Sequence, residues 1–117
     1  MMKKLLLVLV IFLFGCSSSN YQTVDVDTVY KASLEDTSII ILDVRESDEY
    51  YQGHIKNAIN IPVENIETID LDKDKTIYVY CASGNRSKTA TNKLIDMGYT
   101  NVYDMGGIDN YPYELEQ

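Results

Sequence analysis

The chain has 117 residues and a formal charge of −8, from 10 Lys and Arg against 18 Asp and Glu. So acidic a surface repels phosphate backbones, which excludes nucleic-acid binding and leaves any membrane contact to something other than charge. Two cysteines, Cys16 and Cys81, and a single histidine exclude a disulfide framework and supply too few ligands for a structural zinc site or a dithiol redox site. Apolar residues, 45% of the sequence, come in short separated runs, which predicts one small packed domain with one active site, expected to act as a monomer.

Met1 to Lys4 is a short positive region, Leu5 to Phe14 is unbroken apolar sequence, and Gly15-Cys16 precedes Ser17, Ser18, Ser19 and Asn20. That is the outline of a secretory signal; the apolar run is about half of the roughly 20 residues that a membrane-crossing helix needs. Leu13-Phe14-Gly15-Cys16 resembles the bacterial lipoprotein box, with Phe14 standing where a small residue is usual. The resemblance implies a signal peptide over 1–15, a diacylglyceryl thioether on Cys16, a tether over 16–22, and a domain over 23–117 held outside the cytoplasm on a bacterial membrane. Loss of Lys3 and Lys4 with the leader leaves 8 cations against 18 anions, a charge of −10.

Asp25 is placed to cap a short helix with Val26, Val29 and Tyr30 on one face. Ile39-Ile40-Ile41-Leu42 is a β-branched run too short for a helix, as in a strand buried on both faces, and it ends at Asp43. Ser47 is predicted to cap a brief helix, with Asp48 and Glu49 in its first turn and Gly53 just past its end. A second strand, Ala58 to Ile61, stops at Pro62. Thr76-Ile77-Tyr78-Val79-Tyr80 is the clearest strand by composition and delivers Cys81 at its carboxyl end. From Ser87 the spacing turns helical, with Ala90, Leu94 and Met97 on one face and Gly98 as the stop. Asn101-Val102-Tyr103 is a last strand. This alternation predicts an α/β fold, a mainly parallel sheet covered by helices on both faces with ligands at the carboxyl ends of its strands.

Between strand and helix lies Cys81-Ala82-Ser83-Gly84-Asn85-Arg86, with Ser87 expected to open the helix. Gly84, Asn85 and their small neighbours let the backbone curl so that successive amides face one centre, a nest that binds anions. The positive end of the helix adds to the same point. A cysteine aimed there is a candidate nucleophile, because the thiolate is the reactive form and an anion-binding field favours it. Arg86 is a candidate for orienting an anionic donor; alternatively it pairs with Asp43 or Glu46 and braces the loop.

Ile41-Leu42-Asp43-Val44-Arg45-Glu46, Gly53-His54-Ile55 with Ala58-Ile59-Asn60-Ile61-Pro62, Tyr80-Cys81 through Gly84-Asn85-Arg86-Ser87, and Gly106-Gly107-Ile108 together resemble the rhodanese family along almost the whole mature length. The resemblance implies a five-stranded, mainly parallel sheet and a ping-pong sulfur transfer through a persulfide on Cys81, with no metal or organic cofactor. It implies a small anionic sulfur donor such as thiosulfate and a thiol or cyanide acceptor. Two positions depart from the family pattern. Ala82 stands where a basic residue is common, which weakens the field for thiosulfate, and Tyr111 stands where tryptophan is usual, with a hydroxyl that needs a partner.

Two other functions share this sequence logic. A cysteine phosphatase or arsenate reductase of related fold uses a Cys-x5-Arg loop, whereas Arg86 follows Cys81 by five residues, so the loop is one residue short and suits a sulfur atom better than a phosphate tetrahedron. A non-catalytic or sulfur-carrier module is the second. His54, in a Gly-His-Ile turn, reads as a hydrogen-bonded structural histidine rather than a base. Asp43 and Arg45 are expected to reach the loop and fix its walls through an ion pair or hydrogen bonds. The tyrosines show no regular spacing and read as packing.

Overall fold

A computed structural model describes residues 21–36 and 38–117; the leader, Cys16 and most of the expected tether lie outside the described residues. The chain forms β1 (Gln22–Thr23), α1 (Val26–Glu35), β2 (Ile40–Asp43), α2 (Ser47–Gln52), β3 (Ile59–Asn60) and a 3-10 helix (Val63–Thr68). It continues through β4 (Thr76–Cys81), α3 (Asn85–Asp96), β5 (Asn101–Gly107) and a 3-10 turn (Ile108–Asn110). The five strands are all parallel, in the order β1-β5-β4-β2-β3.

Because the central strands are buried on both faces, their side chains divide between two cores. Leu42, Val44, Ile77, Val79 and Val102 pack with Ala90 and Leu94 of α3 and Ile66 of the 3-10 helix. Ile41, Tyr80 and Met105 pack on the other side with Val29 of α1, Ile55 and Tyr50 of α2. Each fully buried aliphatic side chain stabilises this arrangement by about 1.5–3 kcal/mol. From β2 the chain moves outward to β3, and from β4 it moves the opposite way to β5. The strand order therefore reverses between β2 and β4, and the carboxyl ends of these two strands flank the crevice where open parallel sheets place their ligands.

Several boundaries differ from the sequence expectations. β1 begins at Gln22, paired with Tyr103, so the 22/23 domain boundary falls inside a strand. Two exposed residues at a sheet edge carry no periodic signal. The strand expected over Ala58 to Ile61 shortens to Ile59–Asn60 at the opposite edge. α2 is capped by Glu46 rather than Ser47: Glu46 and Glu49 close a capping box, with the Glu49 carboxylate accepting the Glu46 amide at 2.8 Å. Gly53 ends α2 in extended backbone, φ 163°, so no left-handed cap forms there.

α3 opens two residues before Ser87, at Asn85, with Gly84 as its N-cap in a left-handed conformation, φ 112°. Its end follows the prediction. Gly98, φ 103°, donates to Ile95 and Tyr99 donates to Leu94 in a Schellman motif. No helix among the described residues is long and apolar enough to cross a membrane.

Candidate active site

β4 ends in Cys81, 1% exposed, and the chain turns within three residues into α3. Gly84 makes that turn possible through its positive φ, and its amide donates to the Cys81 sulfur at 3.0 Å. Because the helix starts at Asn85, the amides of Asn85, Arg86 and Ser87 belong to its first turn and have no intrahelical acceptor. The sulfur thus lies at the positive end of a 12-residue helix. Ser87 is fully buried, and its hydroxyl donates to the Gly84 carbonyl at 3.1 Å, closing the loop on itself.

β5 fixes the loop from below. The register between β4 and β5 slips after Val79, leaving Met105 as an extra residue and Gly106, φ 95°, in a bulge. Gly106 and Gly107 then lie opposite Tyr80 and Cys81. A side chain at Gly107 would put its Cβ 2.2 Å from the Ala82 carbonyl oxygen, so only glycine lets the loop rest there. Asp109 donates its amide to that same oxygen at 3.1 Å.

Arg86 turns its guanidinium to Glu49, with hydrogen bonds of 2.8 and 3.1 Å to the two carboxylate oxygens. The bracing partner is therefore Glu49 on α2, not Asp43 or Glu46. The Arg86 hydrogen bonds hold the Glu49 carboxyl far below the usual glutamate range, down to about 2. Arg86 itself is raised, first by Glu49, and the charges of Cys81 and Glu46 also bear on it. Glu46 is raised because its carboxyl is a hydrogen-bonding neighbour of Glu64. Sequence reasoning left Glu49 and Glu64 out of the site; nothing local marks them, since only the fold brings them beside Arg86 and Glu46.

Asp43 and Arg45 form a buried ion pair at 2.7 Å, and Arg45 also donates to the Gly53 carbonyl at 2.7 Å. Burial works against the Arg45 charge, but the bonds to Asp43 outweigh it. The expected ion pair is thus present: it ties the end of β2 to the Gly53 turn and packs over Tyr80, the residue before Cys81, with the guanidinium 5.6 Å from the ring centre. Tyr80 accepts the Ile55 amide at 3.1 Å, and burial raises its pKa.

His54 stacks on Tyr50 at 3.8 Å between ring centres, and its Nδ1 lies 2.9 Å from the Tyr50 carbonyl oxygen. A carbonyl can only accept, so Nδ1 carries a proton. Tyr111 packs against the α1-side core, and burial pushes its hydroxyl up to about 12, with Ser33 as the opposing hydrogen-bond neighbour. Among the described residues no three His, Cys, Asp or Glu side chains converge as a metal-binding group.

Fold and site together define an α/β domain that offers one cysteine at a strand–loop–helix junction. Residues 26–112 match the rhodanese-like domain, and the chain belongs to that family. It is 44% identical over 71 residues to the thiosulfate sulfurtransferase PspE of Escherichia coli (strain K12), covering 57% of this chain and 68% of that protein. The crystal structure of a rhodanese-related protein from Thermoplasma volcanium is similar at 33% identity and a TM-score of 0.71, over 82% of this chain and 98% of the other. The domain also occurs inside larger proteins. The adenylyltransferase and sulfurtransferase UBA4 of Meyerozyma guilliermondii is 33% identical over 96 residues, 73% of this chain, and the chain spans only 23% of its length.

Proposed function

We propose that the protein is a sulfurtransferase that moves a sulfane sulfur from a donor such as thiosulfate to a thiol or cyanide through a persulfide on Cys81. The observation that carries this reading is the Gly84 amide on the Cys81 sulfur at the first turn of α3, in a chain of the rhodanese-like family. Relatives named as thiosulfate sulfurtransferases support the same activity.

The chemistry needs few groups. The Cys81 sulfur attacks the outer sulfur of thiosulfate, forming one S–S bond as the donor's S–S bond breaks, and sulfite leaves with the electron pair. The persulfide's terminal charge is received by the amides of the loop and the first turn of α3. An acceptor thiolate or cyanide then attacks the outer sulfur and returns the electron pair to Cys81. The protein performs this outside the cytoplasm, held to a bacterial membrane by lipid on Cys16, a reading supported by the Leu13 to Cys16 motif.

Purified protein mixed with a sulfane donor and cyanide is expected to release thiocyanate, with none from Cys81→Ser. Phosphate-ester hydrolysis without thiocyanate would overturn the assignment. Growth with labelled palmitate tests the anchor: label on the wild type and none on Cys16→Ala is expected, and an unlabelled, freely secreted wild type would overturn it.

A further inference from the structure

Acidic side chains gather beside the loop that follows Cys81, at a site expected to handle anions. Ile61 donates to the Asp43 carbonyl and Val63 to the Val44 carbonyl, both at 3.0 Å, which lays the start of the 3-10 helix along the end of β2. That places the exposed Glu64 beside Glu46. Glu46 in turn shares a capping box with Glu49. Arg86 is the cation that bears on Glu46, and its guanidinium is already committed to both oxygens of Glu49.

Four of the other described cations engage elsewhere: Arg45 with Asp43, Lys93 with Glu67, Lys73 over the Tyr99 ring and Lys88 towards Tyr21. Ala82 adds no charge. Glu46 and Glu49 thus share one guanidinium, with Glu64 beside Glu46, in a chain of net charge −8. Cys81 is 1% exposed, and the loop that follows it ends at Arg86, held by Glu49.

We propose that Glu46 and Glu64, beside the Glu49–Arg86 pair, set the charge preference of the site, so that its sulfur partners are compounds whose free ends are cationic or neutral and not anionic. The proposal rests on the persulfide reading of Cys81 and refines its substrate class. Thiosulfate is then a poor partner, and a carrier presenting a basic surface around its thiol a good one.

The test loads Cys81 with sulfur from excess polysulfide, removes the donor, and follows loss of the persulfide to aminoethanethiol, mercaptoethanol or mercaptopropionate. The three acceptors differ in having a cationic, neutral or anionic free end. In each case the thiolate attacks the outer sulfur, forming a new S–S bond while the Cys81 S–S bond breaks. Dividing each wild-type rate by that of Glu64→Gln cancels the intrinsic reactivity of the thiol. The ratio is expected to fall from aminoethanethiol to mercaptopropionate, by about threefold at low salt and less at high salt.

Glu64→Lys is expected to extend the change, favouring mercaptopropionate further. Equal ratios for the three acceptors, with the same rates in Glu64→Lys, would overturn the charge preference and leave the persulfide chemistry standing. Failure to load Cys81 from excess polysulfide and from a persulfide of aminoethanethiol alike would overturn both.

Discussion

Gly107 and the Ala82 carbonyl are packed so closely that a Cβ at Gly107 would lie 2.2 Å from the oxygen, and 2.8 Å from the Ser83 Cα. Backbone meets backbone there, so neither side can yield by a rotamer change. Gly107→Ala is expected to push the loop off β5, at a stability cost of about 1–3 kcal/mol. Displacement of the Gly84 amide from the Cys81 sulfur should cut sulfur transfer by roughly a hundredfold. Thiocyanate kinetics beside a urea melt check this; an active, equally stable variant would contradict the packing.

Glu49 couples loop stability to pH. Its folded value of about 2 lies below the ordinary 4.5, so the stabilisation is complete above 4.5 and is lost as pH falls from there towards 2. With both side chains one-third exposed, solvent screening limits the pair to about 1 kcal/mol. Melting curves of wild type and Arg86→Ala should therefore differ by several degrees at pH 7, draw together as pH falls below 4.5, and converge near pH 2. A gap that is unchanged across this range would contradict the assignment of Glu49 as the partner.

Removing Arg45 strands a buried carboxylate and frees the Gly53 carbonyl. Arg45→Ala is expected to cost about 3–5 kcal/mol, read as a lower urea midpoint. A loss of less than 1 kcal/mol would show that Asp43 finds another partner.

His54 serves the fold. Its ring stacks on Tyr50 and its amide and carbonyl exchange 2.8 Å hydrogen bonds with Glu116. His54→Ala is expected to lower stability by about 1–2 kcal/mol, through the lost stack and the Tyr50 carbonyl left unpaired. The rate of persulfide formation at saturating donor should stay within about twofold, well under the 10²-fold or more that loss of a general base brings. A collapse of that rate with an intact fold would make the histidine catalytic.

How much of this was legible follows from where each residue sits. β2 and β4 are buried on both faces, so they appear in sequence as continuous β-branched and aromatic runs, and Cys81 at the end of one was visible for that reason. β1 is two exposed edge residues, which leaves no pattern to read. The start of α3 was misplaced because Asn85 and Arg86 are polar on all sides and resemble loop; the left-handed Gly84 is what marks the boundary. Asp25, Gly98 and the Ala90–Leu94 face were local features and followed directly. The Arg86–Glu49 pair spans 37 residues of chain, and the contact of Gly107 with Ala82 depends on a bulge at Met105, so both belong to tertiary structure.

In the proposed reaction Cys81 carries the transferred sulfur. Intact-mass analysis after exposure to a sulfane donor tests it most directly. The wild type is expected to gain about 32 Da, one sulfur atom, to lose it on adding cyanide, and to show no gain as Cys81→Ser. A wild type that stays at its original mass with thiosulfate and polysulfide alike would contradict it.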